Sequence, residues 1–232
     1  MKILAIDASG TVASAAIVNE EKVIAEYTVN YKITHSQTLM PMTESILKIT
    51  ETQLKDIDYI ACACGPGSFT GLRIGAASVK GLALGLDKKI IPIPTLDAIA
   101  YNLYPTSSLI VPIMDARRNQ VYTSIYSCTK GFERLCDHIA CDIDDIISQA
   151  LSLSDDIIFL GDGVPVYKEK LMIPGISLAP VHSNMQRAAV LGALALQNTD
   201  KAIEGKDLEL MYLRKSQAER EREEKEGKSL SI

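Results

Sequence analysis

Apolar residues run through Lys2 to Ser9, Ala13 to Asn19 and Val23 to Val29, and polar turns at Ser9-Gly10-Thr11 and Asn19-Glu20-Glu21-Lys22 separate them. This pattern predicts a three-strand meander. Leu39, Met42, Ile46 and Ile49 then fall at helical spacing. The helix they predict spans about Thr38 to Thr52, because Pro41 fits best in a first turn capped by Thr38. Asp58 to Cys64 reads as a buried strand, Gly65-Pro66-Gly67-Ser68 as a tight loop, and Phe69 to Leu86 as a helix rich in small residues. A strand over Ile90 to Pro94 and a helix over Thr95 to Leu103 follow. Tyr104-Pro105-Thr106-Ser107-Ser108 looks like a boundary between lobes.

The second half repeats the first. Ile6-Asp7-Ala8 aligns with Met114-Asp115-Ala116, and at the same offset Ala15-Ala16-Ile17 lies over Thr123-Ser124-Ile125. A second meander is therefore expected over Leu109 to Arg117, Val121 to Ser127 and Phe132 to Leu135. Gly161-Asp162-Gly163 follows its strand as Gly65-Pro66-Gly67 follows its own. Ile176 to Ala179 corresponds to Ile90 to Pro94, and Asn184 to Gln197 is an Ala-rich helix. The order implies two α/β lobes, each a mixed sheet whose antiparallel meander leads into crossover units. The expected division is 1–104, 105–204, and a C-terminal segment with a charged tail over 205–232. A cleft between duplicated lobes is a natural ligand site, with Asp7 and Asp115 at equivalent strand ends.

Composition narrows the function. The chain has 232 residues, is 47% hydrophobic and 23% charged, which is globular and excludes a disordered or collagenous chain. A net charge of −5 and 5% aromatics without Trp argue against unaided nucleic-acid binding. Asp7 interrupts any leader-like apolar run, and no apolar stretch is long enough to span a membrane. Five cysteines without a CxxC pair suggest reduced thiols in a cytoplasmic protein.

Four features carry candidate chemistry. Gly65 to Gly75 is a Gly-rich turn into a helix, able to cradle phosphate, yet it lacks the Gly-Lys-Ser/Thr of a Walker loop; its plain reading is a tight turn capped by Ser68. Ala77, Gly81 and Gly85 line one side of the next helix, where small residues permit close packing on the chain's own sheet or on a second protein. Asp7 with Ser9, Gly10 and Thr11, and across the cleft Asp115, Gly161 and Gly163, form a thin outline of a nucleotide site. His35, His138 and His182 show no metal-ligand spacing.

Ile6-Asp7-Ala8-Ser9, Gly65 to Gly75, Asp115-Ala116-Arg117-Arg118 with Gln120-Val121-Tyr122, and Tyr212-Leu213-Arg214 with Gln217-Ala218-Glu219 together resemble the bacterial TsaB family. The resemblance covers nearly the whole chain. It implies the duplicated actin/hexokinase/Hsp70-type fold and a part in forming threonylcarbamoyladenosine 3′ of the anticodon in tRNAs reading codons that start with A. In that family TsaB pairs with the transferase TsaD, and TsaE, an ATPase, completes the system. TsaD carries a His-x-x-x-His metal motif after the last strand of its first lobe. Thr95 and Ile99 stand there in this chain, so the resemblance implies a non-catalytic paralogue without a cofactor of its own, ATP and metal being used by its partners.

The family's partner surface maps to the two helices of the first lobe. It implies contact through Leu39, Met42 and Ile46 of one helix and Gly71, Arg73, Ile74, Ala77, Ser78, Gly81 and Gly85 of the other, with Arg73 and Lys80 at the rim. The same surface could pair two copies of the chain, and tRNA would be met through the complex. The rival reading is an ATP-dependent phosphotransferase of the same fold with Asp7 orienting the metal; a peptidase lacks its constellation.

Overall fold

The computed structural model describes residues 1–31 and 34–214. The charged tail from Ala218 to Lys228, and Gln217-Ala218-Glu219, lie outside the described residues. The first sheet has the order β3-β2-β1-β4-β5, built from β1 (Lys2–Asp7), β2 (Ala13–Asn19), β3 (Val23–Val29), β4 (Tyr59–Ala63) and β5 (Lys89–Ile93). β1 pairs antiparallel with β2 and parallel with β4. Helices α1 (His35–Ile49), α2 (Phe69–Leu86) and α3 (Thr95–Tyr101) are interleaved.

The second sheet repeats this as β10-β7-β6-β11-β12, from β6 (Leu109–Asp115), β7 (Gln120–Thr123), β10 (Ile139–Asp142), β11 (Ile157–Leu160) and β12 (Ile176–Leu178). Its helices are α4 (Ile143–Leu153), α5 (Val164–Leu171) and α6 (Ala188–Leu196). Two short strands, β8 (Tyr126–Ser127) and β9 (Glu133–Arg134), form a side hairpin. The duplication extends to detail. Asp7 Oδ1 accepts from the Ser9 N–H at 2.8 Å, and Asp115 Oδ1 from the Arg117 N–H at 2.9 Å. Gly65 and Gly161, each just after a central parallel strand, have φ of 108° and 109°, a conformation that only glycine adopts without strain.

Successive side chains of a strand point to opposite faces, so each sheet has two buried sides. Leu4 and Ile6 face α1 and α2 with Leu39, Ile46 and Val79. Ile3 and Ala5 face the other way, against Ala188, Leu191 and Ala195 of α6. In the second lobe, Val111 and Ile113 meet Ile143, Ile146 and Val164, whereas Ile110 and Leu160 meet Leu96 and Ile99 of α3. The last helix of each lobe thus lies under the sheet of the other. Arg187 and Glu26 lock this exchange by an ion pair at 2.6 Å, and Glu26 Oε1 accepts the Ala189 N–H at 2.9 Å at the start of α6.

Three expectations are corrected. α1 begins at His35, with Thr34 as its N-cap and Pro41 inside it. Pro41 and Gln37, whose carbonyl loses its helical donor, are both exposed, so water can satisfy that carbonyl. The third strand of the second meander is β10, not Phe132 to Leu135; the chain first makes the side hairpin. α6 begins at Ala188, and Val181–Ser183 before it is a single 3-10 turn.

Candidate partner face and inter-lobe cleft

The loop from β4 into α2 is spent on the fold. Ser68 Oγ accepts from the Gly71 N–H at 3.2 Å, the Ser68 N–H donates to the Ser9 carbonyl at 2.7 Å, and the Thr95 N–H donates to the Gly65 carbonyl at 2.8 Å. A Cβ on Gly67 would stand 2.1 Å from the Ser9 carbonyl oxygen. The tight-turn reading accounts for this segment, and its Ser68 and Gly71 N–H groups are bonded within the chain.

α2 presents two contrasting sides. Gly71, Leu72, Gly75, Ala76, Val79 and Ala83 are buried. Thr70, Arg73, Ala77, Gly81, Leu84 and Gly85 are exposed, at the three- and four-residue spacing of one helix face. Nothing lies within 4 Å of a Cβ built on Gly81 or Gly85, so these glycines do not serve packing on the chain's own sheet. Leu84 is 86% exposed. Spacing from Ala77 and Gly81 could have found it; attention to small residues passed it over. Arg73 lies over the Phe69 ring at 3.9 Å, and its Nε donates to Tyr212 Oη at 3.3 Å.

The other expected contacts divide. Leu39, Met42 and Ile46 are 1%, 7% and 0% exposed, because the apolar stripe of α1 faces its own sheet. These three are withdrawn from the partner face. Gly71 is withdrawn too: it is buried, and a Cβ there would stand 2.1 Å from the Ala8 carbonyl oxygen. Ile74 is half-buried against the same core, Ser78 is half-buried with its hydroxyl on the Ile74 carbonyl, and Lys80 is half-buried. The exposed apolar residues of α1 are Met40 and Ile49, on opposite flanks of that stripe, the latter 68% exposed.

At the end of β1, Asp7 is fully buried. One oxygen takes both the Ser9 N–H and the Ser9 hydroxyl, while Oδ2 has no partner. Burial holds its carboxyl above the usual carboxylate range, more than the Ser9 hydrogen bonds lower it. Gly10, next to Ser9, lies under the Gln186 side chain; a Cβ on Gly10 would stand 2.2 Å from Gln186 Nε2. His35 Nε2 donates to the Gly10 carbonyl at 2.9 Å in the tautomer this contact requires. Thr11 and Asp115 are exposed. Gly161 and Gly163 pack on the Ile113 carbonyl. Gln186 thus stands over the Gly10 end of this group. Among the described residues no group of three or more His, Cys, Asp or Glu could hold a metal ion.

Two sheets of one strand order, with exchanged last helices, define the duplicated two-lobe class of actin, hexokinase and Hsp70. The family model described as "TsaD: tRNA N6-adenosine threonylcarbamoyltransferase" matches residues 22–204. The tRNA threonylcarbamoyladenosine biosynthesis protein TsaB of Bacillus subtilis is 36% identical over 175 residues, covering 74% of this chain and 75% of its own. Its Escherichia coli namesake is 37% identical over 128 residues, 54% and 55% of the two chains. A solved Pseudomonas aeruginosa protein, described as similar to peptidase YEAZ, superposes with a TM-score of 0.79 at 25% identity over 92% of this chain and 99% of its own. The chain belongs to the bacterial TsaB family. No helix among the described residues is long and apolar enough to cross a membrane.

Proposed function

We propose that this protein is the non-catalytic subunit of tRNA threonylcarbamoyladenosine formation, working in the cytoplasm. It docks TsaD through the outer face of α2, stabilises that enzyme's competent state, and completes the surface that TsaE and tRNA engage. The observation behind this reading is the stripe Ala77, Gly81, Leu84 and Gly85, in which both glycines open onto solvent. A helix surface without side-chain bulk lets a second helix approach to about 8 Å, and Leu84 supplies an apolar anchor. Arg73, held by Phe69 and Tyr212, is a pre-ordered polar contact at its edge. A second copy of the chain would compete for the same face.

Its effect on TsaD is a difference in binding energy between two states of the enzyme, since a partner that binds both equally shifts nothing. ATP and metal belong to the partners: Thr95 and Ile99 carry no imidazole, and Gln186 stands over Gly10. The latter observation also weighs against the phosphotransferase reading. The deciding experiment supplies purified TsaD and TsaE with threonylcarbamoyl-adenylate and substrate tRNA, with and without this protein. Modification that requires it, together with inactivity of the chain alone, is expected. Equal modification without it overturns the proposal.

A further inference from the structure

The two lobes depart from one another at the β8–β9 hairpin, which hangs from β6 through Ile110 and Tyr126. The first lobe pairs β2 directly with β3 and has no such hairpin among the described residues. The hairpin faces the start of α3 and the end of α6, and a cavity of about 690 Å³ lies between them. That size falls within the range of small-molecule sites, roughly 300–1,000 Å³. Asp7, Gly10, Asp115, Gly161 and the residues of α2 take no part in its lining, so it is distinct from the cleft and from the partner face.

One wall is aromatic. Tyr104 stacks on Tyr101 at 4.9 Å and meets Phe132 edge-on at 6.0 Å, and Phe132 stacks on the buried Tyr126 at 5.2 Å. Below it sits a polar knot. The Tyr126 hydroxyl donates to Asp97 Oδ1 at 2.6 Å, and His138 Nε2 lies 2.7 Å from the same oxygen. Arg134 reaches that oxygen at 3.7 Å and His138 Nε2 at 3.1 Å. The contacts of Arg134 with Asp97 and His138 run through Nη1, and its side chain is 39% exposed. Lys201 lines the same cavity. One acid against two bases leaves a positive charge uncompensated beside an aromatic corner, in which the Tyr104 and Phe132 rings stand nearly perpendicular.

We propose that this cavity binds a small organic anion with a planar body. The body lies against Tyr104 and Phe132, and its carboxylate or phosphate monoester is held by Arg134 and Lys201. A guanidinium orients such a group by parallel N–H donors, and the ring wall supplies contact area at low entropic cost. Asp97 acts as a positioning residue for Arg134.

The test is a titration of the full chain with benzoate, phenyl phosphate and neutral benzamide, followed by amide chemical shifts. The chain is titrated alone, so the result is independent of TsaD docking. Saturable shifts confined to the hairpin, α3 and residues 197–201 are expected for an anion, at about millimolar affinity, with benzamide about tenfold weaker. Tighter binding of phenyl phosphate points to a phosphomonoester, and tighter binding of benzoate to a carboxylate. Lys201→Gln, at an exposed site, should weaken the anion about tenfold without altering the spectrum of the free protein, and Tyr104→Ala should weaken it to a similar degree. The proposal is overturned if neither anion shifts these amides, if benzamide binds equally, or if Lys201→Gln leaves affinity unchanged.

Discussion

Replacing both Gly81 and Gly85 by Gln separates the stability of α2 from its use. Neither added side chain meets a neighbour within the chain, because nothing lies within 4 Å of either Cβ position. Each change exchanges the poorest ordinary helix former for a good one, a gain of about 0.8 kcal/mol. The pair should add about 1.5 kcal/mol, or about 3–6 °C in Tm for a chain of this size. At a close helix contact the same side chains intrude. Overpacking of about 1–3 kcal/mol per site weakens TsaD binding at least 30-fold. Thermal melts of the isolated chain, run dilute enough to keep it monomeric, read the first effect. Co-purification and titration with TsaD read the second. A lower Tm would refute the open placement of these glycines. A raised Tm with undiminished TsaD binding would refute the docking face.

Asp7→Asn should raise Tm at neutral pH. Its folded-state pKa lies above the unfolded value because of burial, so stability falls as pH rises from the unfolded pKa through the folded one; melts from pH 4 to 8 should show the variant's advantage vanish at the acid end. Glu26→Ala removes the Arg187 pair and leaves the Ala189 N–H without its acceptor, so the urea midpoint should fall by the equivalent of about 2 kcal/mol. Gly67→Ala drives a Cβ against the Ser9 carbonyl at 2.1 Å and should cost at least about 2 kcal/mol in the same assay, opposite in sign to Gly81→Gln.

The first lobe was legible because its strands are single apolar runs between polar turns, and α2 spans Phe69 to Leu86 as expected. In the second lobe β6 and β7 were legible as well; the third strand of the meander was not, because the chain first makes β8 and β9, of two residues each, too few for an alternation to register. Pro41 misplaced the start of α1, since a prolyl ring is tolerated where its orphaned carbonyl faces water. Leu39, Met42 and Ile46 were assigned to the partner through the family likeness, although an apolar stripe at that spacing packs on its own sheet by default. The glycine stripe carried the opposite ambiguity: small residues permit a close approach without saying from which side. The anion cavity joins Asp97, Arg134 and Lys201 from three separate elements, and no local pattern links them.

The exchange of α3 and α6 has a consequence for how the protein is made. The five strands of the first sheet are complete once Ile93 has been synthesised. The side bearing Ile3, Ala5, Ala61, Ala63 and Ile91 stays largely bare until Leu196 emerges about 100 residues later, roughly 5–20 s at ordinary translation rates. During that interval only Ala98 and Tyr101 of α3 reach this side of the nascent sheet. The ribosome-bound first lobe should therefore stay protease-sensitive until the second is nearly finished.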